Sequence, residues 1–304
     1  MKRFKLTVAY DGTNYCGWQI QPSAPTIEGE LNKALCRLTG ETIQVIGASR
    51  TDAGVHAYGN VAVFDSDTPI PGEKLLFALN PHLPEDIRIV DSCEAAADFH
   101  PRYCDTRKTY EYHIQTGRTP LPTRRLYSHW LPHRLDVAAM NEAAKYLVGT
   151  HDFKSFCAAQ TQVKTTVRTV LGIAVEERFS DGVIPLMKNI GEQITEEQES
   201  MDLRCGQQSY GQQSHGQHPD KIFAPDKKPE NKHPQDIIIR VEGEGFLYNM
   251  VRIISGTLIK VGLHGWQPEY VKEILASRDR TRAGETAPAK GLFLKKIEYP
   301  EKIR

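Results

Sequence analysis

The stretch Gly47-Ala48-Ser49-Arg50-Thr51-Asp52-Ala53-Gly54-Val55-His56-Ala57 gathers small residues around a single carboxylate. It holds too little apolar bulk for a core segment, and Gly47 and Gly54 allow a loop to wrap closely around a ligand. Asp52 lies two residues after Arg50 and four before His56. A cation within about 4–6 Å lowers a carboxyl pKa, so an ionised Asp52 is expected, the form that a covalent nucleophile or a general base needs. Two plainer readings compete. A turn aspartate beside glycine commonly bonds its own backbone, and an Asp52/His56 metal pair is conceivable although no third ligand cluster accompanies it.

Basic and aromatic types meet in a second region. Arg102, Arg107 and Lys108 run into Thr109-Tyr110-Glu111-Tyr112, and on a strand Tyr110 and Tyr112 share one face. Such a tyrosine either packs against its sheet or stacks on a nucleobase, a contact typically of about 1–3 kcal/mol. Arg124-Arg125 and Arg278/Arg280/Arg282 are further basic clusters, suited to phosphates or to a solvated face. A third region, Gly245-Phe246-Leu247-Tyr248-Asn249-Met250-Val251-Arg252, reads as the opening of a helix with Leu247, Met250, Val251 and Ile254 on its apolar positions. Arg252 falls inside that face, and a buried arginine needs a carboxylate. Asp52, Glu242 and Glu244 are the candidates.

The elements that must position these groups follow from periodicity. Phe4 to Tyr10 alternates as a strand, and Thr26 to Leu38 has helical spacing between a Thr26 N-cap and a Gly40 stop. Thr42 to Ile46 and Asn60 to Asp65 read as strands, Glu73 to Leu79 as a short helix, and Ile87 to Ser92 as a strand. The order recurs with strand Lys108 to Gln115, helix Val137 to Leu147, strands Val170 to Glu176 and Ile237 to Val241, helix Phe246 to Val261 and strand Gly291 to Ile297. An α+β protein of two ferredoxin-like β-α-β-β-α-β units side by side is the economical architecture, with halves at 1–105 and 106–304. Neither a GxGxxG nor a GxxxxGK[ST] phosphate loop occurs.

Between the second pair of strands, residues 191–236 are rich in Gln, Gly, Ser and Pro and carry the near-repeat Gly206-Gln207-Gln208-Ser209-Tyr210 then Gly211-Gln212-Gln213-Ser214-His215. Such composition buries too little apolar surface to offset ordering, so a disordered insertion is expected, open to proteolysis without loss of activity. His215, His218 and His233 within it are read as incidental rather than as metal ligands. The 304 residues carry 38 basic and 38 acidic side chains, a net charge of zero. Zero charge taken at face value speaks against a nucleic-acid partner. The insertion, however, holds nine acidic and five basic residues, which leaves 33 basic against 29 acidic in the rest.

No run approaches the roughly 18–20 apolar residues of a membrane span, and the first residues lack a signal-peptide core. The six cysteines are scattered without a CxxC pair, as expected of reduced thiols in a cytoplasmic protein.

Several of these strings, taken together, resemble the tRNA pseudouridine synthase A family. They are Val8-Ala9-Tyr10-Asp11-Gly12-Thr13 with Gly17-Trp18-Gln19, the Ser49-Arg50-Thr51-Asp52-Ala53-Gly54-Val55-His56-Ala57 string, Phe246 to Arg252, and Thr286-Ala287-Pro288-Ala289-Lys290-Gly291-Leu292. Arg107 to Tyr112 and His151-Asp152-Phe153 add support, and only the insertion departs from the family pattern. The resemblance implies two ferredoxin-like units with a central RNA-binding cleft, a homodimer spanned by tRNA, and neither cofactor nor metal. It implies isomerisation of uridine to pseudouridine in the anticodon stem-loop, at tRNA positions 38 to 40. By resemblance Asp52 is the catalytic aspartate and Arg50 fills the space left by the flipped nucleotide. Tyr110 stacks on the target uracil, Arg252 pairs with the carboxylate, and Leu292 is an apolar wall of the uracil pocket. A catalytically silent RNA-binding protein and a metal-dependent hydrolase using Asp52 and His56 are the competing expectations.

Overall fold

The computed structural model describes residues 1–158, 163–178 and 235–300; residues 191–234 of the expected insertion lie outside the described residues. The strands are β1 (Lys2–Tyr10), β2 (Ile46–Gly47), β3 (His56–Ser66), β4 (Ile87–Ala95), β5 (Arg107–Thr116), β6 (His129–Leu131), β7 (Gly149–Asp152), β8 (Val167–Arg178), β9 (Asp236–Gly243) and β10 (Leu292–Glu298). The helices are α1 (Ile27–Thr39), α2 (Leu75–Leu79), α3 (Val137–Lys145), α4 (Met250–Gly262) and α5 (Tyr270–Ser277). The result is a mixed α+β fold around one large, mostly antiparallel sheet.

Eight strands run β4-β1-β3-β10-β5-β9-β8-β7, with β2 added to β3 and β6 to β5. The centre is a short parallel contact, Phe293 opposite His56 and Leu294 opposite Ala57. β1 alternates buried and half-buried positions, whereas β5, interior in the sheet, is buried on both faces over most of its length. Residues from both parts of the chain, among them Leu6, Leu35, Tyr112, Ile239, Ile254 and Leu294, form one continuous apolar core.

Local chemistry fixes the element ends. The Thr26 hydroxyl accepts from Gly29 N at 3.3 Å, and Gly40 closes α1 at φ 75° with its N–H on Cys36 O. In two places the structure departs from the sequence expectation. Within Thr42 to Ile46 only Ile46 joins the sheet, because Val45 N is already bonded to the Asn32 side chain at 3.0 Å. The expected Phe246–Val261 helix begins only at Met250, since Asn249 sits in the left-handed region at φ 60° and leaves 245–249 as a loop. The strands β6 and β7 and helix α5, too short or too irregular in pattern to be anticipated, complete the fold. No helix among the described residues is long and apolar enough to cross a membrane.

Candidate active site

The loop between β2 and β3 is held from beneath by residues 12–18. Gly17 adopts φ 87°, and a Cβ there would stand 2.5 Å from Thr51 O. The next residue uses the same carbonyl, with Trp18 N bonded to Thr51 O at 3.0 Å. A Cβ on Gly12 would come within 2.0 Å of Val55 O, and the Trp18 ring occupies the space beside Gly47. Gly54 N reaches Tyr15 O at 3.2 Å, and Val55 N turns back to Asp52 O at 3.1 Å. The glycines needed for close approach are thus those on the opposing segment as much as those in the loop itself.

This loop forms one wall of a cavity of about 1390 Å³. Asp52, Arg50, Tyr110 and Leu292 all line it, and Arg252 backs Asp52 with Nη1 3.5 Å from Oδ2. The Arg252 guanidinium is fixed in two further directions, by Nε to Ala287 O at 2.7 Å and Nη1 to Asn249 Oδ1 at 2.9 Å. Both side chains of the pair are largely buried, at 16% and 17% exposure. The left-handed Asn249 therefore serves the site, since its side chain orients the arginine.

The carboxyl does not behave as the sequence led one to expect. Burial raises the Asp52 pKa above its ordinary value, and the charge of Arg252 and its hydrogen bond offset this only in part. Arg50 is exposed and its side chain makes no hydrogen bond or ion pair among the described residues. The cation that holds Asp52 is the one 200 residues away, and the expected downward shift from Arg50 is corrected accordingly. Of the other carboxylates considered for Arg252, Glu242 pairs instead with Arg107 at 3.4 Å.

Tyr110 presents its ring to the same cavity. Its hydroxyl is bonded to Ser49 Oγ at 2.8 Å, its ring meets Phe246 edge-on at 5.3 Å, and burial pushes its pKa up to about 12. It remains a neutral phenol at physiological pH. Tyr112, on the same face of β5, is fully buried with its hydroxyl on Pro288 O at 3.0 Å, so of the two only Tyr110 faces the cavity. Leu292 sits at the start of β10, 5% exposed.

His56 turns elsewhere. Its Nε2 faces Leu126 O at 3.1 Å, and its Nδ1 lies 3.1 Å from Gly12 N and 3.0 Å from the Asp11 carboxylate. Burial lowers its pKa despite that carboxylate. It lines a separate cavity of about 640 Å³, and among the described residues no three His, Cys, Asp or Glu side chains converge as metal ligands. The Asp52/His56 pair is not formed.

Of the three basic clusters, one reaches the large cavity: Arg102, Arg107 and Lys108. Arg124 pairs with Asp236, Arg278 with Asp152 and Arg282 with Glu273. Ser49, Asn249 and the Ala287 carbonyl were not singled out by sequence reasoning. The positions of Ser49 and Asn249, each within a string already distinguished by its chemistry, were the available signal.

The tRNA pseudouridine synthase family matches this chain over residues 6–104 and 143–300. Among curated relatives, a tRNA pseudouridine synthase A of Moorella thermoacetica is 42% identical over 301 residues, covering 98% of this chain and 100% of the relative. Proteins of the same name from Thermoanaerobacter sp. strain X514 and Brevibacillus brevis are 39% and 40% identical over 299 residues, again covering 98% of this chain and all of the relative.

Proposed function

The chain belongs to the tRNA pseudouridine synthase family, an isomerase family acting on tRNA uridine, and we propose that it converts uridine to pseudouridine in the anticodon stem-loop, at positions 38 to 40, with Asp52 as the nucleophile. One observation carries the reading. A buried carboxylate, backed by an oriented arginine and walled by a tyrosine ring, opens into a cavity large enough for an extruded nucleotide. Flipping the nucleotide out of its stack costs a few kcal/mol, which stacking of uracil on Tyr110 partly offsets. Arg50, exposed and without an ion pair among the described residues, fills the gap left in the RNA. Leu292 closes the uracil pocket with apolar surface.

The ionised Asp52 attacks C1′ as the C1′–N1 bond breaks, uracil turns within the pocket, and C5 then bonds to C1′ as the bond from Asp52 to C1′ breaks and frees the carboxylate. The C5 proton leaves and N1 ends protonated, so the product has the composition of the substrate. The charge and hydrogen bond of Arg252 favour the ionised form of Asp52 against its burial, which they offset in part. No step in this sequence needs a cofactor.

The strand orders β4-β1-β3-β2 and β10-β5-β9-β8 support two ferredoxin-like units, residues 1–105 and 106–304, placed side by side with the RNA cleft between them. We place the enzyme in the cytoplasm, acting as a homodimer, for which light scattering at twice the chain mass is the expected outcome. Tritium release from tRNA carrying 5-tritiated uridine tests the chemistry. Wild type releases label and Asp52→Asn does not. Equal release by both removes Asp52 as nucleophile, and binding without release by either leaves a silent RNA-binding protein.

A further inference from the structure

Lys108 is one of the cations lining the cavity that the mechanism above leaves unused. Its Nζ donates to Ala48 O at 3.0 Å, and it makes no ion pair among the described residues. Beside it, the exposed Arg102 also lines the cavity and likewise makes no ion pair among those residues. Burial, with the neighbouring charge of Arg102, lowers the Lys108 pKa to about 8. Arg107, which lies between the two in the chain, pairs with Glu242 at 3.4 Å. Two like charges are therefore neighbours, one of them largely out of water, and among the described residues no carboxylate is in ion-pair contact with either. Such an arrangement is unfavourable in the free protein and is relieved by an anion.

The position of the pair suggests which anion. Lys108 and Tyr110 stand two residues apart on one face of β5, roughly 7 Å along the strand. Both side chains reach the Asp52 loop, at Ala48 and Ser49 respectively. A group bound at Lys108 thus lies one step along the strand from a base stacked on Tyr110. One ammonium N–H is on Ala48 O, and the other two, which make no hydrogen bond among the described residues, can reach phosphate oxygens.

We propose that Lys108 and Arg102 together seat one backbone phosphate of the RNA strand, the phosphate adjoining the nucleotide stacked on Tyr110. The proposal rests on the reading of this cavity as the tRNA uridine site. Phosphate contacts of this kind set register rather than sequence preference.

The test uses anticodon stem-loop RNAs in which single phosphates are replaced by uncharged methylphosphonates, bound to wild type, Lys108→Gln, Lys108→Arg and Arg102→Gln. In wild type one such replacement weakens binding about fivefold. In Lys108→Gln the same replacement has no further effect, and the slope of log Kd against log salt falls by about one. Lys108→Arg keeps the wild-type pattern, and Arg102→Gln, at an exposed site, reduces the penalty without risk to folding. If Lys108→Gln lowers kcat at saturating RNA but leaves the salt slope and methylphosphonate penalty at wild-type values, the proposal is overturned and Lys108 is only a tie to the loop. Label release by wild type with an unchanged penalty in both glutamine variants defeats the phosphate seat alone. The phosphate pattern without label release defeats the catalytic reading alone.

Discussion

The proposed role of Asp52 needs an ionised carboxylate, and its place in the fold opposes that charge. Its pKa is raised by burial, with Arg252 pulling the other way. The protonated form therefore contributes stability that is present below the unfolded carboxylate range and lost as pH rises through the higher folded value. At neutral pH the ionised side chain is a net cost to the fold. Asp52→Asn should accordingly match or exceed wild type in thermal unfolding while losing roughly 10⁴-fold or more in label release, as removal of a nucleophile typically does. A clear fall in Tm would show instead that the Arg252 contact stabilises the molecule. The same balance predicts the pH profile. The acid limb of kcat/KM lies above the ordinary aspartate range, and Arg252→Gln moves it to still higher pH, because the largest lowering influence is removed while burial stays. An unmoved limb would mean that the limb does not report Asp52.

The elements show where sequence reasoning reaches and where it stops. That Arg252 required a carboxylate was legible from its place in an apolar helix face. Which carboxylate was not, because the choice depends on register: Glu242 lies opposite Thr109 on β5 and is drawn to Arg107, leaving Asp52 to Arg252. The strands β1, β5 and β9, the alternation of β1 and the caps of α1 were readable because local sequence decides them. The left-handed turn at Asn249 was not, since a three-way anchorage of Arg252 holds an unfavourable backbone that propensity argues against. The glycines beneath the loop are a similar case, for their need arises from a distant carbonyl. Gly17→Ala meets both a positive φ and Thr51 O at 2.5 Å. It should lose about 2 kcal/mol or more of stability and, by displacing the segment that carries Asp52, lower kcat more than it raises KM. Denaturant unfolding and steady-state kinetics on the one variant check both halves. Retention of wild-type kcat would show that the loop keeps its shape without this support.

For the whole molecule, the neutral charge of the chain conceals two unlike compositions. Residues 180–233 contain nine acidic and six basic side chains, and the remainder is accordingly basic in balance. The sheet gives a direct way to separate them. β8 and β9 are paired as neighbours up to Arg178 opposite Asp236, so the chain leaves the sheet and re-enters it at a single point. Gln235 must be kept, because its backbone N bonds Thr116 Oγ1 at 2.9 Å and its amide bonds Leu135 O at 3.1 Å. Replacing 180–233 by about four Gly, Ser and Asn residues joins β8 and β9 through a loop of about seven residues. The shortened protein should unfold within a few degrees of wild type and keep kcat/KM within about threefold. Its association with tRNA at low salt should be faster, since an acidic excess that repels phosphate has been removed. A folded protein that fails to release label would assign 180–233 a working part in catalysis, and slower association would show that its basic residues, not its acidic excess, govern the encounter with RNA.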